Sequence, residues 1–155
     1  MEERLDSIDR KILRILEKDA KTMVKDIAEQ LNLTKTPVYE RIKRLEQQGF
    51  IKNYVAIVDN QKIEPSITVF SFVLLEAQKG HLMDDFLRQV SSFEEVTECF
   101  VVGGEFDFLL KVVVKNLDSY YDFAKVKIAS LPNIGAVKSA FVLKEVKNEK
   151  TFPLL

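Results

Sequence analysis

The stretch from Val24 to Ile51, VKDIAEQLNLTKTPVYERIKRLEQQGFI, constrains this chain more than any other. Val24, Ile27, Ala28 and Leu31 recur at i, i+3, i+4 and i+7, one apolar stripe on a helix. Asn32 and Leu33 interrupt the pattern. Thr34 is a good N-cap, because its hydroxyl can accept from the free N–H groups of the next turn. Pro37 follows in the first turn, where its missing N–H costs little. Val38, Ile42 and Leu45 form the stripe of a second helix, and Gly49 after its last turn reads as a left-handed C-cap. At about 100° per residue, Thr36, Glu40, Lys43 and Gln47 point away from that stripe. Tyr39, Arg41 and Arg44 flank the outer face. Two short helices joined by a tight turn, the second with a polar outer face, outline a helix-turn-helix. The same pattern also occurs in bundles that meet no nucleic acid, and basic residues on a helix are usually a solvated face.

Upstream, Leu5, Ile8, Ile12, Ile15 and Leu16 mark a first helix with Asp6 as its N-cap. Three apolar stripes can close a small core where two cannot. Downstream, Ile51–Val58 is rich in β-branched and aromatic residues and predicts a strand or wing. Net charge over the 155 residues is −1, which by itself announces no nucleic-acid partner. Its distribution says more. Residues 1–55 carry 12 basic and 10 acidic side chains, whereas 56–155 carry 11 and 14. Residues 21–52 alone have 7 against 4, the sign expected of a surface that meets phosphate.

Asp59–Ser66, DNQKIEPS, is polar, contains Pro65 and separates two kinds of pattern. The expected organisation is a winged-helix-like helix-turn-helix domain over 1–58, a linker over 59–66 and a second domain over 67–155. In that second part, Ile67–Ala77 is β-rich and His81–Val90 carries a helical stripe. Val96–Val102 and Phe106–Val114 predict strands around Gly103-Gly104-Glu105, a loop with turn chemistry. Leu117, Tyr120, Tyr121, Ala124, Ile128 and Leu131 make another stripe, and Val137–Val146 a last strand. The order βαββαβ is the ferredoxin-like plait, so the fold class is α+β. Both helices of a plait cover one sheet face, so the other face should turn polar. Here Val69, Val73 and Leu75 share one face of the first strand, and Phe70, Phe72 and Leu74 share the other. Phe106, Phe108, Leu110 and Val112 are expected on one face of the third, with Leu109 and Val113 opposite. A second copy of the sheet, related by a two-fold axis, is the simplest cover for the extra apolar face.

No run of apolar residues is long enough to span a membrane. The acidic, polar start MEERLDSIDRK does not look like a secretory signal. The lone Cys99 has no disulfide partner and reads as a small apolar residue in a reducing compartment. A soluble cytoplasmic protein is the expectation. His81 is the only histidine and lies far in sequence from Cys99, so no metal site and no nucleophile–base constellation forms. Asp84-Asp85 and Glu94-Glu95 are adjacent pairs suited to solvation. No catalytic residue, metal or cofactor is expected, and a transcription regulator outranks an enzyme on a plait. An effector-binding sensor whose helical half binds protein instead of DNA is the alternative.

Four blocks together resemble the Lrp/AsnC family of transcription regulators over nearly the whole length. They are LDSIDRKILRILEKDA, IAEQLNLTKTPVYERIKRLEQQGFIKNYVAIVD, VVGGEFDFLLKV and LPNIGAVKSAFVLKEVK. The resemblance implies an N-terminal domain that binds double-stranded DNA and a C-terminal domain that binds a small effector, commonly an amino acid, at a dimer interface. It also implies homodimers that assemble further, often to octamers. DNA-binding positions are then Lys35, Thr36, Tyr39, Glu40, Arg41, Lys43, Arg44 and Gln47. Thr36, Tyr39, Glu40, Lys43 and Gln47 would face the groove, and Lys35, Arg41 and Arg44 would hold phosphates. Effector-binding positions are Gly103, Gly104, Glu105, Asp107 and Ser139. Ser139 stands where the family often has Thr, and Val137 replaces another frequent hydroxyl residue. The loop has physical sense of its own: two glycines let backbone N–H groups approach a carboxylate, and Asp107 could accept from an ammonium. An ordinary hairpin turn that Asp107 caps remains open beside it.

Overall fold

In the computed structural model, which describes residues 5–147, the first helix is set by its own N-terminus. Helix α1 (Ser7–Lys18) starts in a reciprocal capping box: the Asp6 carboxylate accepts from Asp9 N at 2.8 Å, and Asp9 accepts from Asp6 N at 3.2 Å. Each bond satisfies an N–H that the first turn leaves unpaired. Helix α2 (Val24–Leu31) ends at Asn32, which takes the left-handed conformation at φ 53° and turns the chain into α3 (Lys35–Gln47). Asparagine visits that region more readily than most residues. Thr34 occupies the N-cap of α3, but its side chain makes no capping bond, contrary to expectation. Gly49 does lie in the left-handed region, at φ 75°. Ile12, Ile27, Ala28, Val38, Ile42 and Leu45 close the core of these three helices.

The strand expected over Ile51–Val58 is not formed. Tyr54, Val55, Ile57 and Val58 are exposed, and with no neighbouring strand among the described residues their β-branched content has no ladder to join. The chain divides after Ile57 into a helical unit and a second unit over Val58–Val146. Within the expected linker, Asn60–Ile63 forms a single helical turn, α4. The expected domain limits at residues 1 and 155 lie outside the described residues.

In the second unit, β1 (Ile67–Leu75), α5 (Gly80–Val90), β2 (Val96–Val101), β3 (Phe108–Val114), α6 (Leu117–Asp122) and β4 (Ile134–Phe141) follow in the order βαββαβ. The sheet is antiparallel in the order β2-β3-β1-β4, as a ferredoxin-like plait requires. Alternation along β1 and β3 buries Val69, Val73, Leu75, Phe108, Leu110 and Val112 beneath Phe86, Val90, Tyr120 and Phe123 of the helices. Phe86 stacks on Phe108 at 4.5 Å between centroids.

Three segments differ from the sequence expectation. The helix after β3 changes to a π-helix over Phe123–Ile128. That extra residue per turn buries Phe123 and leaves Leu117 and Tyr121 exposed, so the uniform stripe through both is wrong. Strand β4 starts at Ile134, before the expected Val137, and stops at Phe141, short of Val146; Leu143 and Val146 are 97% and 88% exposed. Strand β3 starts at Phe108, so Phe106 lies outside its alternation. Its ring meets Phe72, on the face turned from the helices, at 5.6 Å.

Candidate DNA-reading and effector sites

The buried stripe of α3 fixes what its other side presents. Val38 and Leu45 are fully buried and Ile42 nearly so. Lys35, Thr36, Tyr39, Glu40, Lys43 and Gln47 are all exposed on one helix. Lys43 Nζ sits 5.8 Å from the centre of the Tyr39 ring and 3.0 Å from Glu46 Oε2. Glu46 also accepts from the Tyr54 hydroxyl at 2.9 Å, so one carboxylate ties α3 to the segment that follows it. The Lys43 ammonium and the Tyr54 hydroxyl hold Glu46 below the usual carboxylate range. Partial desolvation of the otherwise exposed Tyr54, with Glu46 beside its hydroxyl, pushes it up to about 12.

Arg41 and Arg44 sit differently. Arg41 NH1 lies 2.6 Å from Asp6 Oδ2 and 2.7 Å from Asp9 Oδ1, and Arg44 NH2 lies 2.6 Å from Asp9 Oδ2. Asp9 is 1% exposed. The two guanidiniums expected on phosphates are thus on carboxylates of α1. The apolar stripe of the first helix does not single out Asp9. The signal was present in Asp6-x-x-Asp9, since an acid at the third helical position often completes a capping box.

In the second unit, the Gly103–Gly104 loop is pinned at its end and open at its tip. Val102 N donates to Asp107 O, and Asp107 N donates to Val73 O, both at 2.9 Å. Gly104 has φ 135°, a conformation that side chains rarely adopt, and a Cβ at either glycine would meet nothing within 4 Å. Glu105 is exposed. Asp107 is nearly buried, and its carboxylate is engaged on both sides. Oδ2 accepts from Leu75 N at 2.8 Å, and Oδ1 accepts from Gln78 Nε2 at 2.6 Å. Gln78 belongs to the same arrangement and carried no sequence signal. On the other flank of the segment after β1, the Asn133 side chain exchanges two hydrogen bonds with the Ala77 backbone. Asp107 and Asn133 thereby clasp that segment between them.

Ser139 is not brought to the loop within one chain. It lies on β4, across β1 from β3, paired in register with Ser71. Its hydroxyl is 2.5 Å from that of Tyr120, which is 2.8 Å from Ser71 Oγ, so three hydroxyls form a relay from the strand edge into the core. On the face away from the helices, Phe72 is opposite Leu109, and Leu109 is opposite Phe100, which is 46% exposed. That face is mostly apolar, broken by the Lys111–Glu98 pair at 2.8 Å and by the exposed Lys138 opposite Phe72. Cys99 is half-buried on β2, and burial pushes its thiol up. Among the described residues no helix is long and apolar enough to cross a membrane.

Two family models match the chain: a winged helix-turn-helix DNA-binding domain over residues 5–52 and the Lrp/AsnC ligand-binding domain over 68–152. The Bkd operon transcriptional regulator of Pseudomonas aeruginosa is 36% identical over 97% of this chain and 98% of its own. The leucine-responsive regulatory protein of Escherichia coli is 34% identical over 92% of this chain and 87% of its own. An AsnC-family regulator from Agrobacterium tumefaciens superposes with a TM-score of 0.91 at 37% identity, covering 97% of each chain. A transcriptional regulator from Neisseria meningitidis, solved with L-Met, gives 0.92 at 28% identity, again over 97% of each chain.

Proposed function

The chain belongs to the Lrp/AsnC family of DNA-binding transcriptional regulators with a ligand-binding domain, and on that premise we propose how its residues divide the work. Thr36, Tyr39, Glu40, Lys43 and Gln47 face the major groove, and Lys35 at the start of α3 meets phosphate. The observation that carries this reading is a helix with one side wholly buried and the opposite side lined by exposed hydrogen-bonding groups. Such groups read base edges, whereas long cations neutralise the backbone.

The second unit binds an α-amino acid or a close relative around Gly103, Gly104 and Glu105. The open loop favours it, since backbone N–H groups there can approach a carboxylate. The relative solved with L-Met supports the same ligand class. Asp107 serves the site by holding the loop in register with Leu75 and Gln78, with its remaining acceptor capacity turned to the ammonium. Ser139, two strands away in the same chain, joins the site only from a second protomer. Pairing through the apolar outer sheet face supplies that protomer, and pairs assemble to higher oligomers such as octamers. Binding between subunits would bias how the sheets dock and thereby the spacing of the DNA-reading helices. The protein acts in the cytoplasm, with DNA and a small molecule as partners and no catalytic step.

Calorimetry against the twenty amino acids tests the effector claim directly. Heat with one or a few, reduced by Asp107→Ala, supports it. No heat and no thermal shift at millimolar concentration with any of them reduces the loop to a structural turn.

A further inference from the structure

We propose that Arg41 and Arg44 are positioning residues that set the angle of α3 through the buried carboxylate of Asp9, and that they do not contact phosphate. This rests on α3 being the DNA-reading helix. Asp9 is 1% exposed, and each of its oxygens takes a guanidinium: Oδ1 from Arg41 at 2.7 Å and Oδ2 from Arg44 at 2.6 Å. The Arg41 NH1 group that reaches Asp9 also reaches Asp6 at 2.6 Å. Two carboxylates and two guanidiniums therefore close a neutral cluster between the first turn of α1 and the middle of α3. The hydrogen bonds that Arg41 donates to both acids raise its pKa, and the backbone N–H of Asp9 and the Arg41 guanidinium lower that of Asp6.

A buried carboxylate is tolerable only while it is paired. A phosphate that drew Arg44 away would leave Asp9 Oδ2 with only the Asp6 N–H at 3.2 Å and one guanidinium on the carboxylate instead of two. The cluster also does what apolar packing cannot. The stripe of Val38, Ile42 and Leu45 sets which side of α3 is buried, but non-directional packing tolerates small rolls about its axis. Charge-assisted bonds from two positions three residues apart fix that roll. A roll of about 20° at a helix radius of about 6 Å moves a side chain by about 2 Å. That displacement is enough to lose a hydrogen bond to a base edge. The cost should therefore fall on sequence discrimination and not on general attraction to DNA.

The test measures affinity against salt for the preferred DNA site and for unrelated DNA. Wild type, Lys35→Ala, Arg44→Gln, Asp9→Asn and the Asp9→Asn/Arg44→Gln pair are compared. Arg44→Gln should weaken binding to the preferred site by about tenfold, leave unrelated DNA unaffected and keep the slope of log K against log salt. Lys35→Ala should flatten that slope by about one unit on both DNAs. Asp9→Asn should reproduce Arg44→Gln, and the double variant should be no worse than the weaker single. Arg44→Lys, which keeps the charge and loses the fork, should regain part of the discrimination. Flattening of the slope by Arg44→Gln, with equal loss on both DNAs, overturns the proposal in favour of a phosphate contact. So does wild-type binding by Arg44→Gln. If Lys35→Ala is silent as well, the reading of α3 as the DNA helix is what has failed. If Asp9→Asn does not fold, the Arg44→Gln and Arg44→Lys slopes decide alone.

Discussion

Among the described residues, six form the buried core of the helical unit and thirteen that of the sheet unit. The six belong to three short helices, and two acids and two arginines stand beside them as a charged clamp. The thirteen come from a four-stranded sheet and the helices packed on it; the backbone ladder already fixes direction there, and the opposite sheet face is also mostly apolar. The difference teaches that a small core gets its orientation from directional polar bonds. A larger one gets it from a ladder and leaves apolar surface over for a partner.

The sharpest way to break that comparison is in the cores themselves. Leu45→Ala should cost about 2–5 kcal/mol. In so small a core that should unfold the helical unit alone, and hydrogen exchange should show α1 to α3 losing protection while β1 and β3 keep theirs. Leu110→Ala deletes as much from the larger core and should lower protection across the sheet without unfolding it. Next in size is the outer face. Leu109→Asp should weaken self-association by about a hundredfold or more, since an unpaired charge at an apolar contact is costly. Sedimentation showing a stable wild-type monomer at micromolar concentration would remove the proposed role of that face.

Acid should separate the units more gently. Asp6 and Glu46 in the helical unit are held below the usual carboxylate range. In the sheet unit burial would raise Glu95, but the Lys127 ammonium at 2.7 Å wins and holds it low. A carboxylate with a lowered folded pKa contributes stability above its unfolded value and loses it as pH falls through the folded one. With two such groups and the smaller core, the helical unit should lose exchange protection first as pH drops below about 4. The smallest effect concerns Tyr54. Its absorbance titration should centre near 12, and Glu46→Gln should move it down toward the ordinary tyrosine value. A raised tyrosine stabilises the fold below its unfolded pKa, and that contribution is lost as pH rises through about 12.

Much of this was legible because it was local. The Asp6 cap, the stripe of Val38, Ile42 and Leu45, the left-handed Gly49 and the order βαββαβ all follow from short-range pattern. What escaped depended on partners far along the chain or on a break in period. Arg41 and Arg44 look like free cations until Asp9, 32 and 35 residues away, is brought beneath them. Asp107 reads from the sequence as a free acid, whereas Leu75 N and the Gln78 amide already engage both of its oxygens. Tyr121 and Phe123 exchange places because one stretch winds as a π-helix. Ile51–Val58 has strand composition, but a strand needs a neighbour to pair with.

The central claim is that the exposed side of α3 reads sequence. Selecting bound sites from random DNA with wild type, Glu40→Ala and Gln47→Ala tests it most directly. The account predicts that each variant still enriches a site but relaxes or changes the preferred base at one or two positions, different for the two residues. Wild type and both variants enriching the same site with the same preferences would contradict it.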